Sequence, residues 1–512
     1  MNPACPTPGI LIISASDSAG CSGLQADLRT AQGLMVHPLS VVTATTAQTP
    51  TRLLAAHPVS IEGFTKQLEA VKALPFQAVK IGALPDPNCL PVLKDWLATL
   101  AVPVVLDPVL DTSSGQVLGM PADALKTLLA YGTVITPNVP EALALTGLPA
   151  GSGLPMLAKA LSAFGCHVYL KGGHAEPGQI PASMADDSVD YLQWPDNSPT
   201  PLPSSEGQAW LLQKRGTYPY QRGTGCTLST ALAAFIARGE TLADACVLAN
   251  AYVAQGLKAA YPVSDARGPI AQQGWPLQLD DYPTVVDDPA WLTLPNFAPC
   301  RPLGLYPVVD SVNWIKRLLP LKVPTCQLRI KQASPDRLKS AIQEAVGIGK
   351  AHDCQLFIND YWQLAIETGA YGVHLGQEDL STADLTAIAR SGLRLGISTH
   401  GEYEWARARS LRPSYLAIGA IFNTQTKPVR VVGLERLTRW VPLLQRRLPA
   451  DASASTYSGP PLTAIGGIDL TKAASVLATG VGSIAVVSAI TRAVAPETAT
   501  RQLLDLHLPT HR

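Results

Sequence analysis

Residues 353–379 read DCQLFINDYWQLAIETGAYGVHLGQED. An apolar run, Gln355–Ile358, ends on Asn359 and Asp360; a helical pattern follows, and a second apolar run, Gly372–Leu375, ends on Gln377 and Asp379. Short runs that are apolar on both faces read as strands of a buried parallel sheet. Working outward, the same strand–helix unit recurs, with candidate strands Leu305–Val309, Thr325–Ile330, Arg394–Ser398, Tyr415–Gly419, Leu462–Gly466 and Ser483–Ser488. Eight such units in about 200 residues is the arithmetic of a (β/α)8 TIM barrel, whose chemistry sits at the C-terminal strand ends. Arg329 and Lys331, Asn359 and Asp360, Gln377 and Asp379, Ser398, Gly467 and Ser488 stand at those ends.

Toward the N-terminus the alternation continues less regularly, and the class is again α/β. Ile10–Ser14, Val41–Thr46, Ala78–Gly82, Val104–Asp107, Val134–Thr136 and Val168–Lys171 read as parallel strands, with helical stretches such as Ser60–Ala73 and Asp123–Ala130 between them. Residues 176–208, rich in Pro, Ser and Asp, read as a flap or surface loop. The stretch 268–303 has prolines at 269, 276, 283, 289, 295, 299 and 302, with Asp280, Asp281, Asp287 and Asp288 between them. Proline density forbids a regular helix. This stretch reads as a linker or, given Trp275, Trp291 and Phe297, as an arm on a domain surface. The expected division is 1–268, 269–302 and 303–512.

At 512 residues the chain holds more than one domain, and 47% hydrophobic against 15% charged residues excludes disorder. Basic and acidic side chains number 39 each, so there is no bulk basic footprint for nucleic acid or anionic lipid. The balance is a cancellation: residues 1–268 carry 15 basic and 19 acidic side chains, 269–300 none and four, and 301–512 24 and 16. The basic excess of the last segment suits capture of phosphate-bearing molecules. Met1–Pro8 has no basic region, no apolar run reaches about 18 residues, and the nine cysteines never form C-x-x-C. The expectation is a soluble cytoplasmic protein with small-molecule partners and neither a nucleic-acid nor a membrane partner; a homo-oligomer stays open.

Arg222-Gly223-Thr224-Gly225-Cys226-Thr227 precedes an apolar helical run, Leu228–Ala237. A glycine-rich turn feeding a helix N-terminus presents N–H groups and a positive dipole end to an anion. The same residues also suit a plain tight turn with Cys226 as a small cap, and no Walker A pattern occurs. Lys171-Gly172-Gly173-His174 places a cation after a buried strand, with His174 read as structural. Asp107-Pro108-Val109 and Pro137–Glu141 place acids suited to Mg2+ or its waters, although Asp107 also reads as a turn acid.

With Asp17–Asp27, Thr46-Ala47-Gln48-Thr49 and Lys80-Ile81-Gly82, these motifs make residues 9–265 resemble the hydroxymethylpyrimidine and phosphomethylpyrimidine kinases of the ribokinase-like superfamily. The resemblance implies a three-layer α/β/α fold, ATP as co-substrate, and Mg2+. It implies Lys171, Asp107, Glu141 and Thr224 on the nucleotide and metal, with Gln48 and Asp27 reading the pyrimidine. Cys226 would sit beside the reacting hydroxyl, Lys171 would be catalytic as the cation on the phosphates, and the Gly223–Cys226 amides, Gly225 included, would stabilise the transferring phosphoryl group. Ala15 and Ala83 stand where the family has Gly and Met, and Cys21-Ser22 where it has Gly-Ala. A non-catalytic pyrimidine-binding or regulatory module and a pyridoxal kinase are the alternative readings of this half.

In the second half Gln327, Arg329 and Lys331 alternate onto one face of their strand. Charges on an inward barrel face are costly unless they meet an anion. Two carboxylates from neighbouring strand ends beside two cations are what Mg2+ and a pyrophosphate require. Thr424-Gln425-Thr426-Lys427, Gly466-Gly467 and Val487-Ser488 add a loop and the common barrel phosphate site. On these motifs residues 303–508 resemble thiamine-phosphate synthase. The resemblance implies a pyrimidine diphosphate held by Gln327, Leu328, Arg329, Ile330, Lys331, Asn359, Ser398 and Lys427, and Mg2+ on Asp360 and Asp379. It puts a thiazole phosphate on Thr424, Gln425, Thr426, Gly467 and the Val487–Ser488 backbone. The two implied activities are consecutive, the product of the first being the substrate of the second.

Overall fold

The computed structural model describes residues 7–111, 116–173, 175–176, 178–199, 202, 204, 207–264, 267–424, 430–445 and 459–507. The chain forms two compact units, Met1–Pro289 and Ala290–Arg512.

The first unit is built on a ten-stranded sheet. Its strands are β1 (Gly9–Asp17), β2 (His37–Gln48), β3 (Leu53–Pro58), β4 (Ala78–Ile81), β5 (Val104–Leu106), β6 (Val134–Ile135), β7 (His167–Leu170), β8 (Asp187–Gln193), β9 (Gln208–Lys214) and β10 (Thr284–Val286). The spatial order is β10-β9-β8-β7-β6-β5-β4-β1-β2-β3. The six strands expected from sequence form its parallel centre, where Ile10 to Ile13 are fully buried, as both-face apolar runs require. Helices Gly23–Gly33 and Thr224–Ala237 pack together against the centre of the sheet, Leu242–Lys258 packs on Thr224–Ala237, and Ile61–Val71 and Leu154–Ser162 pack against strands nearer its two ends. This is the three-layer α/β/α arrangement.

Four antiparallel strands were not anticipated. One of them, β8, lies within 176–208, the stretch expected as a flap or surface loop. Val189, Tyr191 and Leu192 are buried in it, and flanking Pro, Ser and Asp hide this short pattern. Another, β10, comes from the proline-rich stretch, which divides between the units instead of forming one arm. In the first unit Ile270 is buried, Tyr282 donates to the Pro276 carbonyl at 3.0 Å, and Trp275 meets Phe235 edge-on. In the second, Trp291 and Phe297 are buried, and Arg412 donates to Asn296 Oδ1 at 2.6 Å.

The second unit is a closed parallel barrel of β11 (Gly304–Val309), β12 (Thr325–Leu328), β13 (Gln355–Asn359), β14 (Gly372–Leu375), β15 (Arg394–Thr399), β16 (Tyr415–Ile418), β17 (Leu462–Ile465) and β18 (Ser483–Val486). All eight expected strands are present. Its interior is filled by Tyr306, Val308, Phe357, Tyr415, Ala417 and Ala485, so it is a packed core with its chemistry at the rim. Among the described residues no helix is long and apolar enough to cross a membrane.

Candidate active sites

In the first unit the helix Thr224–Ala237 starts from Gly223, whose φ of +81° lies in the left-handed region. A Cβ there would stand 2.4 Å from the Cys21 carbonyl oxygen, so glycine alone fits this turn. The Thr227 amide donates to the Gly223 carbonyl, which makes the amides of Thr224, Gly225 and Cys226 the open end of the helix.

Lys171 follows β7 and stands beside that end. Its ammonium donates to Asp107 Oδ1 at 2.9 Å and lies 4.0 Å from Glu141 Oε2. A Cβ on Gly225 would fall 3.2 Å from Lys171 Nζ, so the bare glycine leaves the amides and the cation facing each other. Asp107 also accepts from Thr136 at 3.0 Å and Ser229 at 3.3 Å. Burial opposes its ionisation, but Lys171 and Lys80 outweigh burial and hold the carboxyl below the usual range. Burial likewise works against the Lys171 charge, and Asp107 and Glu141 overcome it.

Glu141 is pushed up to about 7, chiefly by burial, with Lys171 pulling the other way. It has a second duty, because it forms a capping box with Asn138 at the start of the helix Val139–Thr146 and accepts the Asn138 amide at 2.8 Å. The half-buried Cys226 thiol is pushed up to about 11 by burial, so it is a neutral thiol near pH 7. His174 lies outside the described residues.

Asp27, expected to read a pyrimidine, is fully buried. Its Oδ2 pairs with the equally buried Lys80 at 2.8 Å and its Oδ1 accepts from Thr230 at 2.8 Å. Both of its oxygens are thus engaged beneath the surface. Gln48 is half-buried, accepts from Arg222 at 3.1 Å and donates to Thr46 at 2.9 Å. Ala15, Ala44 and Ala83 form one apolar cluster with Val109 and Leu118. Both alanine departures therefore fall on one small wall. Arg222, which the sequence reading used only as the start of a motif, is buried and holds Gln48, Ser22 and the Pro50 carbonyl.

In the barrel, β12 ends at Leu328, so Arg329, Ile330 and Lys331 lie beyond the strand, and the Arg329 amide still donates to the Val309 carbonyl at 2.7 Å. Gln327 and Leu328 are both buried and alternate to opposite faces. Asn359 closes β13, and Asp360 follows with a φ of +63°, a left-handed geometry that aspartate tolerates. Asp379, after β14, accepts the Gly376 amide at 2.8 Å. Burial raises the pKa of Asp360, and the charge of Asp379 raises it further while Arg329 lowers it. Two carboxylates thus share one sector of the rim with a guanidinium; the carboxylate oxygens suit a hard divalent cation, and the guanidinium suits an anion.

Ser398 lies on β15, and Gly466 and Gly467 follow β17 with φ of +102° and +65°. A Cβ on Gly467 would stand 2.5 Å from the Asn423 carbonyl oxygen. Val487 and Ser488 start the short helix after β18. Gln425, Thr426 and Lys427 lie outside the described residues, which stop at Thr424 on that side.

Sequence reasoning missed a buried chain of hydrogen bonds across the barrel. Gln327 Nε2 donates to the Tyr306 hydroxyl at 3.2 Å, and the Tyr306 and Tyr415 hydroxyls are 2.7 Å apart. Tyr415 meets His374 Nδ1 at 2.6 Å, and His374 Nε2 meets Ser398 Oγ at 2.8 Å. Burial, aided by Arg329, lowers the His374 pKa to about 3, so the ring is neutral, with one donor and one acceptor nitrogen. Arg407, fully buried, was missed as well; it donates to the Gln377 carbonyl and side-chain oxygen at 2.9 and 2.8 Å. For Gln327 and His374 the available signal was a polar residue on an apolar strand; Arg407 lies on the helix Glu402–Ser410, where no strand pattern points to it.

Comparison with known proteins follows the same division. The family model described as phosphomethylpyrimidine kinase matches residues 17–271, and the one described as thiamine monophosphate synthase matches residues 305–490. A thiamine-phosphate synthase from Serratia proteamaculans is 54% identical over 217 residues, 42% of this chain and 96% of that protein. Among solved structures, a phosphomethylpyrimidine kinase from Clostridium difficile is 29% identical over 48% of this chain and 97% of its own, with a TM-score of 0.40. A pyridoxal kinase from Staphylococcus aureus in complex with ADP is 26% identical over 55% of this chain and 98% of its own, with a TM-score of 0.47.

Proposed function

We propose a division of labour for a chain that belongs to the phosphomethylpyrimidine kinase family over its first half and to the thiamine-phosphate synthase family over its second. The enzyme is bifunctional and serves thiamine biosynthesis. The first half phosphorylates hydroxymethylpyrimidine and its monophosphate to the diphosphate. The second couples that diphosphate to the thiazole phosphate, giving thiamine monophosphate and pyrophosphate.

In the kinase half the ATP phosphates lie against the open amides of Thr224, Gly225 and Cys226, opposite Lys171. Asp107 and Glu141 would hold Mg2+, which when bound offsets the charge of the phosphates. The pyrimidine rests on the Ala15, Ala44 and Ala83 wall, and Gln48, fixed by Arg222, reads its polar edge. Asp27 acts through Lys80. Cys226 contributes its amide and its small size; a thiol pushed up to about 11 is a poor base at neutral pH. None is needed, because the phosphoryl transition state is loose and is stabilised by position and charge.

In the synthase half Arg329, Lys331 and Asn359 take the diphosphate, while Gln327 and Ser398, held by the buried chain through Tyr306, Tyr415 and His374, face the pyrimidine. Asp360 and Asp379 would hold Mg2+, which when bound stabilises the departing pyrophosphate. Gly467 and the Val487–Ser488 backbone, with residues 424–427, take the thiazole phosphate. The thiazole nitrogen forms its bond to the pyrimidine methylene as the carbon–oxygen bond to pyrophosphate breaks, so no general base is required. The substrates are small molecules throughout. The described cysteines are all free thiols, which supports a reducing, ATP-supplied cytoplasm as the working compartment.

The observation that carries the reading is the same in both units: cations face carboxylates at the C-terminal ends of parallel strands, beside glycine turns that admit no side chain. A coupled assay tests it. Hydroxymethylpyrimidine, ATP, Mg2+ and thiazole phosphate should yield thiamine monophosphate. A preparation that makes it only from supplied pyrimidine diphosphate would remove the kinase assignment.

A further inference from the structure

β8 runs antiparallel beside β7, with Leu170 opposite Tyr191. One step on, where β7 gives way to Lys171-Gly172-Gly173, the same register brings Asp190 and Val189 alongside. The Gly172 amide donates to Asp190 Oδ1 at 3.0 Å. A Cβ on Gly172 would fall 1.9 Å from the Val189 carbonyl oxygen, so the turn is pressed onto the β8 backbone as well as tied to it. The carboxylate is held from behind. Its Oδ2 accepts from the Tyr169 hydroxyl at 2.7 Å and from Asn250 Nδ2 at 3.0 Å, and Asn250 Oδ1 accepts from Gln213 at 3.0 Å. Tyr169 is fully buried and Asn250 is buried. Lys171 is the residue immediately before the tied amide, and its ammonium is directed to Asp107 at 2.9 Å.

We propose that Asp190 is the positioning residue for Lys171: through the Gly172 amide it fixes the turn that aims the lysine at the phosphates, and the 176–208 segment serves to bring this carboxylate to the sheet. The bond runs from a backbone amide to a carboxyl whose other oxygen is held from behind, so its direction is fixed, and it acts on backbone rather than on the ammonium. It therefore sets where the lysine starts from and leaves the lysine's own partners free to be exchanged for phosphate oxygens. This inference rests on the reading of Lys171 as a phosphate-binding cation.

The test uses the full chain with Asp190→Ala, Asp190→Asn, Lys171→Ala and the double variant Asp190→Ala/Lys171→Ala. ATP-dependent phosphorylation of hydroxymethylpyrimidine is measured, and the synthase half is assayed in the same preparations on supplied pyrimidine diphosphate. Asp190→Ala should lower the kinase kcat by about 10²-fold, the scale of an ångström's misplacement. KM for hydroxymethylpyrimidine should stay within about threefold, and synthase activity should be unchanged. The double variant should be no worse than Lys171→Ala alone, because Asp190 acts only through that lysine. Losses that multiply in the double variant would overturn the proposal. Should Asp190→Ala leave the kinase half unfolded, Asp190→Asn decides. It keeps an oxygen for the Gly172 amide and should stay within about tenfold of wild type, whereas a loss as deep as that of Lys171→Ala overturns the proposal. A wild-type kinase rate for Lys171→Ala would instead sink the reading of Lys171, whatever Asp190 does.

Discussion

Gly223→Ala isolates the contribution of the open amides to phosphoryl transfer. At φ +81° an alanine is strained, by about 1–2 kcal/mol. Its Cβ would also stand 2.4 Å from the Cys21 carbonyl oxygen, closer than a side-chain carbon can approach. The Cys21 side cannot easily yield, because the Cys21 and Ser22 amides are pinned to Asp17 Oδ2 at 3.1 and 2.9 Å. The glycine turn must therefore move and carry the Thr224, Gly225 and Cys226 amides with it. Losing one such donor costs about 2.7–4 kcal/mol of transition-state stabilisation, so kcat should fall about 10²–10³-fold. The assay is ATP consumption dependent on hydroxymethylpyrimidine, with synthase turnover of supplied diphosphate as the internal control, expected unchanged. Gly239→Ala supplies the matched comparison, since φ there is +85° with nothing within 4 Å of the added carbon. It carries the strain without the clash and should keep the wild-type kcat. A kinase rate for Gly223→Ala within about threefold of wild type, or an equal loss in Gly239→Ala, would refute the argument.

Asp360→Ala should abolish thiamine monophosphate formation while ATP-dependent kinase turnover continues; loss of both activities in a folded variant would show that the sites are not independent. Iodoacetamide should label Cys226 about a hundredfold more slowly at pH 7 than an ordinary thiol, since burial lifts its pKa from 9.0 to about 11; rapid, selective labelling would contradict the neutral-thiol assignment. The His374 pKa is 6.5 in the unfolded chain and about 3 in the fold. Between those values the unfolded state binds the extra proton. Barrel stability should then be complete above the upper value and fall on acidification by up to ~1.4 kcal/mol per pH unit. Urea unfolding followed by synthase activity at several pH values measures this, and a His374→Gln variant with the same slope would discount the histidine. Gly467→Ala, whose Cβ would meet the Asn423 carbonyl oxygen at 2.5 Å, should raise KM for the thiazole phosphate while KM for the pyrimidine diphosphate holds; equal changes in both would move Gly467 away from that subsite.

The sequence by itself determined the class of both halves. Eight apolar runs ending on polar residues specified a barrel and its reactive rim, because strand periodicity and the polarity of strand ends are local properties of the chain. The Gly223–Cys226 turn and the Lys171 and Asp107 strand ends were legible for the same reason. Tertiary structure alone decided what those residues touch. Asp27 and Lys80, 53 residues apart, meet as a fully buried pair, a partnership that no local pattern announces. Tyr306 and Tyr415, 109 residues apart, join the chain that reaches His374 and Ser398. Asp190 became visible only when β8, disguised by prolines and serines, entered the sheet beside β7. Periodicity reports which face of an element is buried. Strand order and register decide which distant residue waits on that face, and they are set by the packing of the whole chain.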